Sequence, residues 1–315
     1  MIQKLVTACA ALTLAGAAHA QVLGIGTAPQ GTIGYNMGSA VAKVLLEKGH
    51  IQSRVQPYSG SSSVFPLLNT GEIDLTVGNT LEAEEAYNGE ASYHGRKQPD
   101  VRVVGVLFPL RVGFFVRKGS PIRTIADLKG KRVVYGFTAQ VTLNRVVDGL
   151  LANGGLSAKD IVPVLVPNVV RDADDFASGN ADAGFFAIGA GKVSEVDKTT
   201  GGIRFLPISD APQAVAAMRK FVPYAYVSHV QPAPQFAGVI GPTDLMAYDY
   251  LLLASSHLKN GIVEHIAKTL YDNKAALVAS FKPFAGFQPK EMYKPMPAPY
   301  HPGALEFYRK QGMAK

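Results

Sequence analysis

Apolar positions along the chain follow two alternating periods. "VLGIG" at Val22–Gly26 is a short apolar run typical of a strand, and the apolar residues from Met37 to Leu45 recur at helical spacing. Gly49 then predicts the end of that helix. Strand and helix patterns alternate in this way through most of the sequence. They predict an α/β protein with mostly parallel sheets and helices on both faces.

The remaining elements follow from the same patterns. Further strands are predicted at residues 51–58, 73–79, 101–108, 112–118, 132–136, 161–167, 181–189, 203–209 and 245–255. Further helices are predicted near residues 61–70, 80–87, 142–152, 171–179, 257–281 and 303–309. Pro109 stands between two of the strands. Residues 221–244 are rich in proline, glycine and aromatic residues and have no regular period, which predicts a long excursion back to the first part of the fold.

The first twenty residues have the pattern of a secretory signal peptide. Lys4 precedes an apolar run over residues 5–18, and "AHA" at Ala18–Ala20 supplies the small residues of a cleavage site, so we expect cleavage after Ala20 and a periplasmic protein. A buried N-terminal helix is the alternative. The run is shorter than the roughly 20 residues that span a bilayer. Cys9 is the one cysteine and lies in this leader, so we expect no disulfide and no thiol chemistry in the mature chain.

The size and charge of the mature chain favour a two-lobe protein that binds small molecules. Removal of 20 residues from 315 leaves 295, which predicts two lobes. Lobe I is expected at 21–117 plus about 240–315, and lobe II at about 118–239. The net charge of +7, or +6 without Lys4, is spread along the chain, whereas a nucleic-acid-binding protein would concentrate it. A mildly basic monomer suits anionic small ligands or an anionic partner surface.

Glycines directly follow the first predicted strand. "GIGTAPQGT" places backbone N–H groups and a helix N-terminus where an anion could bind. A dinucleotide fingerprint, G-x-G-x-x-G, needs a third glycine three residues after Gly26, but Ala28 and Pro29 occupy the end of that motif. The lysine of a P-loop is missing after Gly31 as well. The segment is therefore either a plain turn or part of a site for another ligand.

Three further strand-to-helix junctions carry the same residue types. They are "YSGSSS" at Tyr58–Ser63, "GNTLEAEE" at Gly78–Glu85 and "GFTAQVTLN" at Gly136–Asn144. Each alone is most simply a helix N-cap. Ligands of open α/β sheets, however, bind in the crevice at the carboxyl ends of the strands. Uncharged donors from four junctions would suit a carboxylate or an amino-acid backbone.

Patterns for catalysis and metal binding are missing from the sequence. The serines lack a G-x-S-x-G elbow, and the seven histidines lack the spacings of a metal site. Two acidic clusters are predicted to be solvated first turns of helices: Glu82, Glu84 and Glu85, and Asp172, Asp174 and Asp175. We therefore expect a binding protein with no metal and no cofactor. The alternative from another class is an exported hydrolase that uses a serine of "SGSSS".

Several segments, in order along nearly the whole chain, resemble the TAXI family of solute receptors of tripartite (TRAP) transporters. They include "SGSSSVFPLLNTGEIDLTVGNT", "EEAYNGE", "TIADLKGKRV", "ADAGFFAIGA" and "PMPAPYHPGALEFYRKQG". The resemblance implies the type II periplasmic binding-protein fold, in which two crossover strands form a hinge and two lobes close on one solute. It also implies a dicarboxylate or an amino acid such as glutamate as solute, delivered to TRAP permease subunits that use an ion gradient. A receptor for an ATP-driven importer, or a sensor partner, is the alternative within the same fold.

The predicted ligand contacts come from the junctions and from the strand ends beside them. They are Gly26, Thr27 and Thr32; Ser59, Gly60, Ser61 and Ser62; Asn79 and Thr80; Phe137, Thr138, Gln140 and Thr142; and Phe186 and Ala187. Tyr35 is a further candidate, with packing on a helix face as the alternative. Arg111 begins a predicted hinge strand where the family does not lead us to expect an arginine. It would pair with a ligand carboxylate or form a surface ion pair.

Overall fold

The computed structural model describes residues 22–315, so the predicted cleavage after Ala20 and the position of Cys9 lie outside the described residues. The strands are β1 (Leu23–Thr27), β2 (Ser53–Pro57), β3 (Leu75–Asn79), β4 (Val101–Arg117), β5 (Arg132–Tyr135), β6 (Val162–Leu165), β7 (Gly184–Ala187), β8 (Ile203–Phe205), β9 (Tyr226–Val230) and β10 (Thr243–Ser255). The α-helices are α1 (Ile33–Gly49), α2 (Ser61–Thr70), α3 (Thr80–Asn88), α4 (Thr142–Asn153), α5 (Val169–Ala177), α6 (Gly191–Thr199), α7 (Pro212–Arg219), α8 (Asn260–Asp272), α9 (Lys274–Ser280) and α10 (Pro302–Lys310).

The main sheet mixes parallel and antiparallel pairs. Its strand order is β2-β1-β3-β10-β4-β7, with β8 paired to β4 and β9 to β10, while β5 and β6 form a separate pair. The pairs β1–β2, β1–β3 and β5–β6 are parallel, as the alternating pattern predicts. All pairs of β4 and β10 are antiparallel. In the main sheet parallel pairing is therefore limited to β1, β2 and β3. The prediction of mostly parallel sheets was wrong, because two long antiparallel strands, β4 and β10, run through the centre.

Strand β4 is continuous through Pro109, where the sequence predicts a break between two strands. Pro109 lies opposite Asp249 of β10, and the pairing of β4 with β7 begins only at Val112. At Pro109 the strand thus has a strand neighbour on one side only. A proline is tolerated in such an edge position, because its missing N–H removes no ladder hydrogen bond there.

Strands β4 and β10 connect two groups of elements. Residues 250–254 of β10 pair with β3, and residues 243–247 pair with β9. Residues 112–115 of β4 pair with β7. We use lobe I for β1–β3, α1–α3 and α8–α10, and lobe II for β5–β9 and α4–α7. The predicted boundaries at 118 and 240 stay predictions, and the strand pairing changes partners near residues 111 and 248.

Some elements differ from the sequence prediction for local reasons. The helix predicted over residues 257–281 is divided into α8 and α9 at Asn273, whose side-chain amide donates to the Thr269 carbonyl oxygen at 2.8 Å. Asparagine side chains compete with helical backbone hydrogen bonds in this way. Helices α6 and α7 and strand β9 were not predicted. Helix α7 buries only Met218, so a short helix like this leaves no clear apolar period.

Helix α1 shows how the sequence positions the crevice edge. Thr32 is its N-cap, and the Thr32 Oγ1 accepts a hydrogen bond from the Tyr35 N–H at 3.2 Å. Gly38 faces β1, because a Cβ at that position would lie 2.5 Å from the Thr27 methyl group. The helix therefore packs closely on the end of β1, with its N-terminus beside Thr27. No helix within residues 22–315 is both long and apolar enough to cross a membrane.

Candidate ligand-binding site

A cavity lies between the two lobes, next to β4 and β10. It is lined by Thr27, Ala28, Thr32, Ile33, Gly34, Gly60, Val64, Phe65, Thr76, Val77, Asn79, Glu82, Leu110, Val112, Gln140, Leu143, Val169, Phe185, Phe186, Ala187, Tyr248 and Tyr250. The centre of a water molecule can occupy about 70 Å³ of it. A site for one water needs about 10–15 Å³ by that measure. The cavity therefore has room for a small organic solute.

Thr27 brings an unpartnered hydroxyl to this cavity. It ends β1 and is fully buried, and its Oγ1 has no hydrogen-bond partner among the described residues. Its methyl group faces Gly38 of α1. A buried hydroxyl without a partner costs about 1–3 kcal/mol, so its presence in a folded protein needs an explanation, and a bound molecule is one.

Tyr248 brings a second hydroxyl of the same kind. It lies on β10 opposite Leu110 of β4, is fully buried, and its hydroxyl has no hydrogen-bond partner among the described residues. Burial, and next the negative charge of Glu82, raise the pKa of the Tyr248 hydroxyl well above its usual range. The hydroxyl therefore remains protonated and can donate a hydrogen bond to a ligand.

Asn79 and Glu82 form a capping box at the start of α3. The Glu82 N–H donates to the Asn79 Oδ1, and the Asn79 N–H donates to the Glu82 Oε2, both at 3.0 Å. Glu82 is 9% exposed and lines the cavity. The prediction that it is solvated was wrong, because the capping box turns this carboxylate back toward the buried helix start.

Lobe II contributes a mostly apolar wall. Leu143, Val169, Phe185, Phe186 and Ala187 line it, together with the amide of Gln140. The Gln140 Oε1 accepts from the Val169 N–H at 2.9 Å, which leaves the Nε2 donors for a ligand.

Asp172 binds the backbone of Phe185, one of the residues of this wall. Its Oδ2 accepts from the Phe185 N–H at 2.9 Å, while its Oδ1 has no hydrogen-bond partner among the described residues. Asp172 is fully buried, so the prediction of a solvated cluster was wrong for this residue. The same holds for Asp175, which is 6% exposed, because its carboxylate pairs with Arg171 and Asn180.

The lobes meet in a closed arrangement. The Glu85 carboxylate, fully buried in lobe I, accepts from the Thr142 hydroxyl at 2.5 Å and pairs with Arg145 at 2.8 Å. The Tyr224 hydroxyl of lobe II donates to the Glu84 carboxylate at 2.7 Å. Glu84 and Glu85 thus join the lobes, and the prediction that they form a solvated turn was wrong. Burial raises the pKa of Glu85, and the hydrogen bonds from Thr142 and Arg145 oppose that shift.

Gly60 marks the closest backbone approach between the lobes. A Cβ at Gly60 would lie 2.0 Å from the Ala139 carbonyl oxygen. The neighbouring Ser62 hydroxyl donates to the same oxygen at 3.0 Å. Glycine is therefore required by space at this point, and the two loops that the sequence singled out touch each other in the closed form.

The structure brings seven of the predicted contact residues to the cavity: Thr27, Thr32, Gly60, Asn79, Gln140, Phe186 and Ala187. Thr32 differs from the expectation in detail. Its hydroxyl donates to the Pro29 carbonyl oxygen at 2.7 Å and caps α1, so it positions the helix rather than donating to a ligand.

The other predicted residues do not line the cavity. Several hydroxyls serve the fold instead: Thr80 donates to the Asp249 carbonyl oxygen, Thr142 to Glu85, and Ser62 to Ala139. Gly26 leaves room for the side chains of Ile73 and Val64, and Phe137 packs against Phe185. The Tyr35 hydroxyl accepts a hydrogen bond from the Gln30 side chain. Thr138 is exposed, and only the backbone of Ser61 is described. Ser59 is exposed, 3.4 Å from the Ser63 hydroxyl. Among the described residues, no histidine is paired with Ser59 or Ser62 as a hydrolase would need.

Arg111 points away from the cavity. Its neighbours Leu110 and Val112 both line it, and successive side chains of a strand face opposite sides of the sheet. The Arg111 Nε donates instead to the Ser228 Oγ of β9 at 2.9 Å. This orientation disfavours the pairing with a ligand carboxylate, one of the two alternatives that the sequence left open for Arg111.

The hinge strands supply lining residues that the sequence prediction missed. Leu110, Val112, Tyr248 and Tyr250 all come from β4 and β10. The signal was present, since both pairs are two residues apart and so share one face of a strand. The Asn-x-x-Glu spacing of Asn79 and Glu82 likewise predicts a capping box.

The charge of the lining is a further property of the site. Among the described lining residues, Glu82 is the sole Asp, Glu, Lys, Arg or His. No group of three or more His, Cys, Asp or Glu within residues 22–315 is arranged to bind a metal ion.

Comparison with known proteins places the chain in a family. Residues 25–312 match the model of the NMT1-like family. The chain belongs to the NMT1-like family. A curated relative, the putative aliphatic sulfonates-binding protein of Escherichia coli (strain K12), is 32% identical over 165 residues. That match spans about half of each protein, 48% of this chain and 47% of the relative.

Solved structures agree with the fold of this member of the NMT1-like family. PhnD1 from Prochlorococcus marinus (MIT 9301), in complex with methylphosphonate, superposes with a TM-score of 0.58 at 15% identity, covering 93% of this chain and 98% of PhnD1. The substrate-binding protein of an amino acid ABC transporter superposes with a TM-score of 0.52 at 11% identity, covering 83% and 99%. The predicted fold class is confirmed: the chain has the α/β fold of type II periplasmic binding proteins.

Proposed function

We propose that this protein is a periplasmic solute-binding protein that captures a small solute with a carboxylate, anionic or zwitterionic, between its lobes. The observation that carries the proposal is the pair of buried hydroxyls, Thr27 Oγ1 and Tyr248 OH, in residues that line the cavity. Neither hydroxyl has a hydrogen-bond partner among the described residues. A ligand with acceptor atoms, such as a carboxylate, would supply a partner for a hydroxyl of this kind.

The start of α1 supports the same assignment. Ile33 and Gly34, in its first turn, line the cavity beside Thr27. The first N–H groups of a helix have no partner within the helix, and its dipole favours an anion there. With the two hydroxyls, these N–H groups form a set of uncharged donors for a carboxylate. Closure of the lobes around it would exclude water from the site.

Delivery to a membrane permease completes the proposed function. The sequence resemblance to the TAXI family supports a TRAP permease, driven by an ion gradient, with a dicarboxylate or an amino acid such as glutamate as solute. The ATP-driven importer is the second candidate, and it is supported by the substrate-binding protein of an amino acid ABC transporter among the fold relatives. Uptake into vesicles containing the cognate permease separates the two, since only one depends on internal ATP and only the other on the ion gradient.

Ligand binding itself is tested on the purified protein. Native mass spectrometry should reveal a small molecule carried through purification. Thermal-shift screening with carboxylic acids and amino acids should show stabilisation that grows with ligand concentration. Small-angle scattering should show compaction at saturating ligand. A protein that binds none of these solutes and does not compact would contradict the proposed function.

The signal peptide is a separate part of the proposal. Lys4, the apolar run and the "AHA" segment support export and cleavage after Ala20. Mass spectrometry of the protein recovered from the periplasmic fraction of cells that express the full chain should give a mature N-terminus at Gln21. Recovery of the intact chain from the cytoplasmic fraction would contradict it.

A further inference from the structure

We infer that Tyr250 limits the length of the solute, because its side chain closes the cavity at the first turn of α1. The inference rests on the proposed function and deepens it, since it names the residue that selects among solutes with a carboxylate by their size. Tyr250 lies on β10, lines the cavity and is 6% exposed. Its ring therefore forms part of a buried wall.

The topology of the sheet shows the direction in which this side chain extends. Tyr250 pairs with Asn79, the last residue of β3, and β3 lies between β10 and β1. Helix α1 follows β1, and the Tyr250 hydroxyl lies beside Gly34 in the first turn of that helix. The side chain therefore extends over the carboxyl end of β3 to α1. Open α/β folds bind their ligands at this edge of the sheet.

The tip of Tyr250 meets the surface of α1 without spare room. A Cβ at Gly34 would lie 2.6 Å from the Tyr250 hydroxyl oxygen and 3.6 Å from the Cζ that carries it. The same point is 3.5 Å from the Cβ of Ala28, in the loop between β1 and α1. Nonbonded contacts are most favourable at about 3.5–4.0 Å, so among these neighbours only the hydroxyl is too close. Glycine at position 34 is therefore required by the Tyr250 hydroxyl.

This wall leaves a short cavity. About 70 Å³ is open to the centre of a water molecule, and Tyr250 bounds that space on the side of α1. Because the side chain starts on β10 and ends against α1, it cannot move away from a longer solute unless the strand or the helix shifts. Overfilling a buried space costs more free energy than the burial of one more methylene gains. Affinity should therefore fall sharply beyond one length of solute.

The length limit is measured by isothermal titration calorimetry of the full mature protein with two homologous series. One series runs from malonate through succinate, glutarate and adipate to pimelate. The other runs from L-alanine through L-2-aminobutyrate and L-norvaline to L-norleucine. We expect the wild-type protein to bind at least one series with a maximum at one length, and the affinity to fall about tenfold or more with the next methylene.

Tyr250→Leu should move that maximum to a longer compound by one methylene or more. Leucine is too short to reach α1, so the space of the outer ring and the hydroxyl becomes open to the solute. Tyr308→Leu is the matched control for a loss of stability alone. Tyr308 is fully buried and does not line the cavity, so its replacement should leave the maximum unchanged.

Gly34→Ala tests the contact between Tyr250 and α1 without any ligand. The new methyl group would meet the Tyr250 hydroxyl, so we expect the urea midpoint of unfolding to fall. In the background of Tyr250→Phe the same methyl should leave the midpoint unchanged or raise it, because the nearest ring carbon is 3.6 Å away. Gly261→Ala, at the second position of α8 with no atom within 4 Å of the new Cβ, is the control and should not lower the midpoint.

Tyr250→Phe also replaces Tyr250→Leu if the leucine variant does not fold. Loss of the hydroxyl opens the space of one oxygen atom, so the affinity for the first compound beyond the wild-type maximum should rise. The methyl group of Gly34→Ala refills that space in the double variant, so this gain should be lost again. A gain that persists in the double variant would show that the limit lies elsewhere.

The outcomes separate this inference from the proposed function. Binding to Tyr250→Leu with an unchanged maximum overturns the inference and leaves the proposed function intact. A fall in the midpoint by Gly34→Ala that is equally large in the background of Tyr250→Phe also overturns it, whatever the solute is. Failure of the wild-type protein to bind any compound of either series overturns both.

Discussion

Two side chains, Thr27 and Tyr248, carry the main conclusion at the scale of single residues. Buried polar atoms are almost always hydrogen-bonded in folded proteins, because the loss of water is otherwise uncompensated. Two exceptions that line one cavity indicate a site whose last partner is a ligand. A ligand bound in the closed form would supply the partner that each hydroxyl lacks.

Thr27→Val should weaken binding. Valine keeps the methyl group that faces Gly38 and removes the unpartnered hydroxyl. We expect the affinity for the best solute to fall about fivefold to tenfold, and the free energy of unfolding without ligand to change by less than about 1 kcal/mol, because water reaches this hydroxyl in the open crevice. Calorimetry and urea unfolding measure the two effects. Unchanged affinity would remove Thr27 from the site.

Asp172 makes stability depend on pH in a defined direction. Burial raises the pKa of this carboxyl well above its usual range, so the folded chain binds its proton more tightly than the unfolded chain. Its contribution to stability is therefore lost as pH rises from the unfolded pKa, about 3.9, through the raised folded pKa.

Asp172→Asn removes that dependence and keeps an acceptor for the Phe185 N–H. We expect the stability of the variant relative to wild type to increase with pH across this window, at up to about 1.4 kcal/mol per pH unit, and then to level off. Denaturant unfolding of both proteins between pH 4 and pH 8 gives the difference, in which the other carboxyls cancel. A difference that does not change with pH would contradict the assignment.

At the scale of elements, the start of α3 links the site to the fold. The capping box of Asn79 and Glu82 fixes where the helix begins and turns the Glu82 carboxylate toward the cavity. The same two residues thus cap the helix and line the cavity. Variants at Asn79 should therefore change the stability of the helix start, and the replacement chosen decides how much of the cap remains.

Asn79→Ala should lower the free energy of unfolding by about 1 kcal/mol, because alanine cannot accept from the Glu82 N–H. Asn79→Ser is the matched control, since serine is an equally good N-cap, and it should retain most of the stability. Both are measured by urea unfolding without ligand. Equal stability of the two variants would show that the cap contributes nothing here.

The elements also show why sequence reasoning succeeded in some places. Strands β1 and β3 and helix α1 have clear apolar patterns, and α3 has a capping box at its start and Gly89 at its end, so their positions follow from local chemistry. The continuity of β4 through Pro109 does not, because it depends on having a strand neighbour on one side only. The side of the sheet on which the Arg111 side chain lies could not be predicted either, because it is fixed by the pairing of the strand.

The lining of the cavity could be predicted from the sequence only in part, for the same reason. Strand-to-helix junctions are visible in the sequence, and they led to Thr27, Asn79 and Gln140. Tyr248 was missed because a strand that passes between lobes has the same pattern as a strand of the core. Glu85 was misjudged because a cluster of acids looks solvated until the opposite lobe, with Arg145, is known.

At the scale of the whole molecule, the closed arrangement depends on contacts that cross between lobes. Gly60 approaches Ala139, and Glu85 pairs with Arg145 on the other side. Neither contact involves β4 or β10, the strands that connect the lobes. A small steric change at such a contact should therefore act on closure and leave each lobe intact.

Gly60→Ala should prevent closure. Its Cβ would overlap the Ala139 carbonyl oxygen at 2.0 Å, and the lobes can avoid the clash by staying apart. We expect affinity to fall by about tenfold or more, and ligand-induced compaction in small-angle scattering to be lost. Gly261→Ala, where no atom lies within 4 Å of the new Cβ, is the control. Full compaction of Gly60→Ala with ligand would contradict the closed form described here.

The passage of β4 and β10 between the lobes also has a kinetic consequence. Leu110, Val112 and Tyr248 form a floor on the axis about which the lobes would turn, so a solute meets them while the crevice is still open. Gln140, which precedes α4 of lobe II, would reach it only on closure. Changes to the floor should therefore act on the association rate, and changes at Gln140 on the time that the solute remains bound. One cavity thus separates the capture of a solute from its retention.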